Sequence, residues 1–486
     1  MPKYIKYLGI DFGSSSVSVV GYEDKNTEPI IFYDPEMNDT WFATAMTPDG
    51  KKFFQHAFTE KDILDSLKED IIDGKNTENV KKFISELFKT INNCRDSSGT
   101  YDFSSLERIC FGYPTYTPTC TEAYCEKVTE IILQSCPGVQ VICAPEPELA
   151  ARAYNETNKN VALYKNSIKD GDLILVVDLG GYTLDMAILK ATKDSSGDVC
   201  VRPLTNSESI ESERMQISMG KRITRDICFQ IYKDSTNDIP LAFDYGVEEQ
   251  KCKFFSEDEK NTAPTRLKVT GKLPADKNIT KFILTKDQRG RSLSESNGEN
   301  TVTVGIYSST DGRTVQIGNS YLYCGNLINN YINISLNNNR FGNKKISHVI
   351  FTGGTSRINE LRETIKNKLT GNEFVDSNVK MLLVDRPNEG ALKLKRANSS
   401  EYETLSSSNV VALGAAVVAV QEDSVSNAAD AFVSASTDSA KVKYEMLIKR
   451  NEVLEKMIVD FFDNGELCDK CRAEFSKLLD DMEYPC

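Results

Sequence analysis

The sequence predicts an α/β protein with a duplicated core, and three observations carry that expectation. Strand-like and helix-like segments alternate between residues 101 and 160. The stretch "LILVVDLGGYTLDMAIL" at 173–189 reads as two apolar strands around a short polar turn. The stretch "YLGIDFGSSSVSVVGY" at 7–22 has the same design, with Asp11 and Asp178 standing 167 residues apart. A duplicated hairpin implies two turns facing one another across a cleft.

Taken in chain order, residues 60–93 look helical, because "ILDSLKEDII" and "VKKFISELFKTI" space their apolar residues three and four apart. "LERICFGYP" reads as a buried strand stopped by Pro114, "TEAYCEKVTEIILQSC" as a helix, "VQVICAPEP" as a strand and "ELAARAYNE" as a helix. Residues 192–213 are polar and serine-rich, as expected of a long loop, and residues 221–256 look helical. Between 264 and 318, "RLKVTG", "KFILT", "TVTVGIYS" and "RTVQIG" are β-like, while "QRGRSLSESNGEN" reads as an exposed loop. Residues 320–338 return to helix, "HVIFTGGTSRINELRETI" is strand, glycine turn and helix, and "NVVALGAAVVAVQ" is a buried small-residue helix. Residues 423–436 read as a linker, followed by helix candidates at 438–462 and 467–482.

Composition narrows the function classes. A chain of 486 residues allows about two to four packing units. The net charge of −13 offers no basic footprint for nucleic acid, and no apolar run nears the roughly 20 residues that span a bilayer. Thirteen scattered cysteines and no secretory h-region at the start lead us to expect a cytoplasmic protein with free thiols. With only His56 and His348, a histidine-rich metal site is not expected. "CDKC" at 468–471 spaces two thiols one helical turn apart, but only Cys486 lies near as a further ligand, so a plain helix-face pair is favoured over zinc.

The two turns hold what a nucleoside triphosphate requires. Phosphates need backbone N–H groups that come close, hence glycine turns. Mg²⁺ is a hard ion that keeps its waters and is often met by carboxylates through them. Phosphoryl transfer asks for positioned water, cationic charge and oriented hydroxyls. Asp11, Gly13 and Ser14 supply these types from the first turn, and Asp178, Gly180, Gly181, Thr183 and Asp185 from the second. Any one glycine here is an ordinary turn residue; the ordered set points to phosphate.

These stretches resemble the actin-like ATPase superfamily, most closely the nucleotide-binding domain of the seventy-kilodalton heat-shock chaperones. "IDFGSSS" and "VVDLGGYTLDMAIL" are similar to the two phosphate motifs, and "HVIFTGGTSRI" to the adenosine motif. "APEPELAARAY" and "NVVALGAAV" are similar to the two connecting helices. The resemblance spans residues 4–421 and implies duplicated ribonuclease H-like domains around a nucleotide cleft. It implies one lobe over 1–171 and a second over 172–400 carrying a smaller subdomain at about 220–320. A helix at 401–422 returns to the first lobe, and a helical extension fills 437–486.

The resemblance also implies roles. Asp11 and Asp178 would hold hydrated Mg²⁺ through water, and together with Asp185 would order the attacking water. Ser14, Ser15 and Thr183 would meet phosphate, Glu146 would orient water, and Lys68 would steady the γ-phosphate. Gly180, Gly181 and Tyr182 would line the second turn. Gly353, Gly354, Thr355 and Arg357 would line the nucleoside, with Glu249 and Lys253 contacting ribose and adenine. ATP or ADP with Mg²⁺, weak ATPase activity and protein clients or co-chaperones are the expected chemistry and partners. Three positions depart from the family: Tyr182 replaces a glycine, Glu122 a signalling arginine and Cys252 a lysine. Tyr182 either crowds the γ-phosphate or points away, which keeps a non-hydrolysing nucleotide-dependent scaffold open. A small-molecule kinase or a filament-forming relative fits less well, because "PEPELAA" and "ALGAAV" are chaperone-like. The family's β-rich peptide-binding domain is not expected in 422–486, whose patterning is helical. Its apolar stripe suits self-association, partner binding or packing on the ATPase body.

Overall fold

The computed structural model describes residues 3–421, except 61, 66, 74, 97–98, 115–117, 161–167, 182–183, 194–198, 204–213, 216–218, 232–240, 259–267, 273–278, 287–290, 297, 307–315, 337–343, 384–391, 398–400 and 407–408. Residues 422–486 lie outside the described residues, and with them the expected linker, both C-terminal helix candidates and Cys468 and Cys471. The rest is a mixed α/β structure built on several mixed sheets. Among the described residues no helix is long and apolar enough to cross a membrane.

The strands that organise the molecule are, in chain order, β1 (Tyr7–Phe12), β2 (Ser16–Tyr22), β3 (Ile30–Ile31), β4 (Arg108–Tyr113) and β5 (Gln140–Pro145). They are followed by β6 (Leu173–Leu179), β7 (Leu184–Lys193) and β8 (Val199–Pro203). A small sheet takes β9 (Lys268–Lys272), β10 (Lys281–Thr285), β11 (Arg291–Ser296) and β12 (Glu299–Gly305). Last come β13 (Ile346–Thr352), β14 (Val375–Leu383), β15 (Lys393–Arg396) and β16 (Tyr402–Thr404).

Two sheets repeat one topology. In the first, β1 pairs antiparallel with β2, β2 antiparallel with β3, and on the other side β1 pairs in parallel with β4 and β4 with β5. In the second, β6, β7, β8, β13 and β14 stand in the same order and the same senses. Strands β15 and β16 extend the first sheet beyond β3. The small sheet runs β9-β10-β12-β11.

The helices are α1 (Leu67–Asp73), α2 (Thr77–Asn92), α3 (Pro118–Ser135), α4 (Glu146–Asn160), α5 (Met219–Ile231), α6 (Leu241–Asp258), α7 (Gln316–Leu336), α8 (Asn359–Leu369) and α9 (Val410–Val420). Helix α2 follows from its spacing: Val80, Phe83, Ile84, Leu87, Phe88 and Ile91 make one buried stripe. That stripe joins a core with β1, β2, β4 and α3; a second core gathers β6, β7, β13 and α5 to α8 with the small sheet.

Helices α4 and α9 pack on each other, α9 also on β1, β2 and β4, and α4 on strands of both large sheets. Glycine sets these approaches. A Cβ at Gly414 of α9 would lie 1.8 Å from the Leu149 carbonyl oxygen of α4, and one at Gly9 of β1 would lie 2.0 Å from the Ala416 nitrogen.

Four expectations are corrected. The expected loop at 288–300 holds β11, hairpin-paired to β12; its residues Ser292–Ser296 are exposed, so no apolar alternation marked it. The expected loop at 192–213 contains β8 and continues β7, because edge pairing supplies backbone hydrogen bonds without apolar side chains. In "RTVQIG", Gln316 begins α7 instead of a strand. Helix does not run through 62–65, since the Leu64 backbone is used in a bridge to Met46.

Intrinsic propensity favours Gly414→Ala by about 1 kcal/mol, whereas overpacking costs about 1–3 kcal/mol or more. Packing against a backbone carbonyl cannot relax by side-chain rotation, so the variant should melt ~3 °C or more below wild type. Differential scanning fluorimetry checks this; an unchanged or raised melting temperature would mean that α4 and α9 do not meet at this residue.

Candidate functional site

The β1–β2 turn is tied from both sides. Gly13 N–H donates to Ser16 O at 2.9 Å, Thr44 Oγ1 donates to Gly13 O at 2.7 Å, and Thr44 N–H donates to Ser15 O at 3.1 Å. The β6–β7 turn meets it: a Cβ at Gly181 would lie 2.3 Å from Ser15 Oγ. Gly180 O accepts from Thr355 Oγ1 at 3.0 Å. The turn after β13 closes in from behind, where Gly353 has a φ of +81° and its Cβ position lies 2.4 Å from Asp178 Oδ1. Only glycine takes that backbone conformation in that space. The start of α5 is the fourth element, with Gly220 set so that a Cβ would be 3.0 Å from Gly181 Cα and 2.7 Å from Thr355 Oγ1.

Strand alternation aims the carboxylates. Phe12 is buried against Phe83 and Phe111, which turns its neighbour Asp11 the other way. Asp178 and Asp185 stand directly opposite one another in the β6–β7 register, and Asp178 is also opposite Thr352 of β13. Lys68, on α1, donates to Glu146 Oε1 at 2.7 Å; both side chains are nearly sealed, at 3% and 6% exposure. Glu146 opens α4, where the helix dipole favours a carboxylate.

These five groups feel one another. Burial and then the Glu146 charge raise the Asp11 pKa to about 8, with Lys68 opposing. Burial, Glu146, Asp185 and Asp11 push the Asp178 carboxyl well above the ordinary range, again against Lys68. Burial works against charge on Lys68, but Glu146, Asp11 and Asp185 together hold its pKa above the ordinary lysine value. Four carboxyl groups thus surround one ammonium. Such a donor set is short of positive charge, and a divalent cation would supply it. Among the described residues no three His, Cys, Asp or Glu side chains close around a bare ion. A carboxyl-rich set of this kind suits a hard cation that keeps its water shell.

Of the residues named from the sequence, Asp11, Gly13, Ser15, Lys68, Glu146, Asp178, Gly180, Gly181, Asp185, Gly353 and Thr355 are brought together by these contacts. Ser14 is half-buried in the same turn. Tyr182 and Thr183 lie outside the described residues, as do the side chains of Glu249 and Glu122. Gly354 is exposed with open space around its Cβ position, and Lys253 is exposed on α6. Arg357 is close enough to Cys252 to oppose the rise of the thiol pKa to about 12, which burial and then Glu248 cause. Arg357 and α6 thus share one end of the site.

Sequence reasoning missed Thr44, Gly220, Thr224, Glu248 and Lys251. Thr44 and Gly220 carry no motif. Glu248 and Lys251 sit in "EEQKCKFFS" but read there as ordinary helix charges. No protein-family model matches the chain, and no curated protein matches it.

A carboxyl group whose folded pKa is raised loses stabilising protonation as pH climbs from its unfolded value near 4 toward 8. Asp11→Asn removes that loss. In metal-free buffer the variant should match wild type near pH 4 and melt ~2 °C or more above it at pH 8.5. Melting curves across that range check this, and a wild type that gains on the variant as pH rises would refute the charge assignment.

Proposed function

We propose that this chain is an actin-like ATPase, resembling the nucleotide-binding domain of the seventy-kilodalton heat-shock chaperones. On this reading it binds Mg-ATP between two lobes and hydrolyses it slowly to drive a chaperone-like conformational switch. One observation carries the proposal: two hairpin turns on sheets of identical strand order meet at Ser15 and Gly181, with Asp11, Lys68, Glu146, Asp178 and Asp185 around them.

In this reading the N–H groups of the two glycine turns face phosphate oxygens, and Ser14, Ser15 and Thr183 add hydroxyl donors. Asp11 and Asp178 would hold hydrated Mg²⁺, which when bound supplies the missing positive charge. Glu146 would orient a water near the cation, while Lys68, pinned to it at 2.7 Å, would steady both the carboxylate and nearby phosphate charge. Asp185 completes the acceptor set for that water. Arg357 lies at the nucleoside end, near α6. Tyr182, where the family has glycine, favours as second reading a scaffold that binds nucleotide without turnover.

Mg-ATP at 100 times its Kd should add about 2.7 kcal/mol to stability, seen as a raised melting temperature. A melting curve unmoved by millimolar Mg-ATP overturns the proposal. Lys68→Ala or Asp185→Asn should leave nucleotide binding largely intact and cut phosphate release on the order of 10²–10³-fold. Release equal in all three proteins would leave the scaffold reading.

A further inference from the structure

Thr352, the last residue of β13, is fully buried, and its hydroxyl has no hydrogen-bond partner among the described residues. Other threonines of the site are placed differently: Thr44 Oγ1 donates to Gly13 O at 2.7 Å and Thr355 Oγ1 to Gly180 O at 3.0 Å. A buried hydroxyl left unpaired costs stability, so its place in the fold needs a cause. Register supplies one. Residues paired across a ladder project to the same face. Thr352 is paired with Asp178 of β6, which is paired in turn with Asp185 of β7. One hydroxyl and two carboxyl groups thus form a row across three strands, on the face that the site occupies. The row is tight at Asp178, whose Oδ1 lies 2.4 Å from the Cβ position of Gly353, the residue after Thr352.

The first sheet shows what such a place holds there. Asp11 occupies the position of Asp178, and the residue beside it on β4 is Gly112, one step beyond the Ile10–Phe111 pair. Gly112 leaves room for Glu146, whose Cγ would lie 3.3 Å from a Cβ at that glycine. One aspartate therefore has a carboxylate at its flank, and the other has a hydroxyl. Ionised carboxylates only accept hydrogen bonds, so of the three residues in the row Thr352 alone always brings a donor. Side chains that hold a metal's ligands in place bear on its affinity nearly as much as the ligands do. We infer that Thr352 is a positioning residue: its hydroxyl holds the Asp178 carboxylate, directly or through one water, where that carboxylate meets the water shell of a divalent cation. The inference rests on the Mg-nucleotide reading and adds to it a residue that no phosphate or nucleoside contact accounts for.

Thr352→Val replaces the hydroxyl by a methyl group of similar size, and Thr352→Ser keeps the hydroxyl. Isothermal titration of the full chain with ADP, in excess Mg²⁺ and in EDTA, isolates the cation's share of binding. Wild type should bind ADP more tightly with Mg²⁺ than without. Thr352→Val should lose ~10-fold or more of that gain and stay within ~2-fold of wild type in EDTA, with Thr352→Ser close to wild type in both. Without nucleotide and in EDTA, Thr352→Val should melt above wild type, since an unpaired buried hydroxyl has been removed. A hydroxyl with a purely structural role would give the reverse: a lower melting temperature and an unchanged Mg²⁺ gain. An undiminished Mg²⁺ gain, an equal loss of ADP affinity in both buffers, or a Thr352→Ser that behaves as Thr352→Val overturns the inference while the nucleotide reading stands. So does a ligand-free Thr352→Val that melts below wild type or does not fold, and so does a wild type that binds ADP equally in both buffers. A wild type that binds no ADP at all overturns that reading and the inference with it.

Discussion

The buried pair of Lys68 and Glu146 is the interaction on which the site depends. Stripping water from an ammonium and a carboxylate costs several kcal/mol per ion, and their attraction offsets this only with close contact and further partners. Here the contact is 2.7 Å, and the carboxyl groups of Asp11, Asp178 and Asp185 lie within electrostatic reach of the same ammonium. The lysine is thus needed by four carboxyl groups at once. It comes from a short helix, α1, and its partner is the first residue of α4, so the pair ties together two segments 78 residues apart in the chain. The raised pKa values of Asp11 and Asp178 record how far one ammonium falls short.

Around that charge cluster, closeness is set by glycine. Gly181 against Ser15, Gly353 against Asp178, Gly220 against Gly181 and Gly414 against Leu149 are all places where a Cβ would overlap existing atoms. Three of the four surround the two turns. The carbonyls of Gly13, Gly180 and Gly220 accept hydrogen bonds from Thr44, Thr355 and Lys251, which fixes the backbone at each of these approaches. The fourth, between α4 and α9, locks the helix that begins with Glu146 onto the first sheet. A packing contact well away from the carboxylates thereby bears on where one of them stands.

The repeated strand order gives these contacts a common frame. Because β1 and β6 occupy the same place in their sheets, the turns that follow them deliver an aspartate and a glycine in the same relation to the neighbouring strands. The second sheet then adds what the first lacks: the β13 turn behind Asp178, and the start of α5 at Gly220. The two halves are alike in topology and different in how their turns are braced.

The sequence by itself determined the elements whose side chains declare their surroundings. Apolar runs bracket Asp11 and Asp178, the stripe of α2 runs from Val80 to Ile91, and Gly353 precedes a helix; each is legible because burial demands apolar residues at a fixed period and tight turns demand glycine. The family resemblance, not local pattern, named Lys68 and Glu146, which structure brings together across 78 residues of chain. Local pattern failed where backbone pairing or long-range contact decides. Strand β11 is exposed and serine-rich, and only its ladder to β12 makes it a strand. Leu64 lies in a helical pattern and is drawn out of it by Met46. Lys251 sits among residues with the composition of a solvated helix face, yet it is buried where α5 presents it with the Gly220 carbonyl and the Thr224 hydroxyl. Local pattern reports which face of a segment avoids water; which partner meets that face is set by the whole fold, since hydrogen bonds and ion pairs form between residues that the chain keeps far apart.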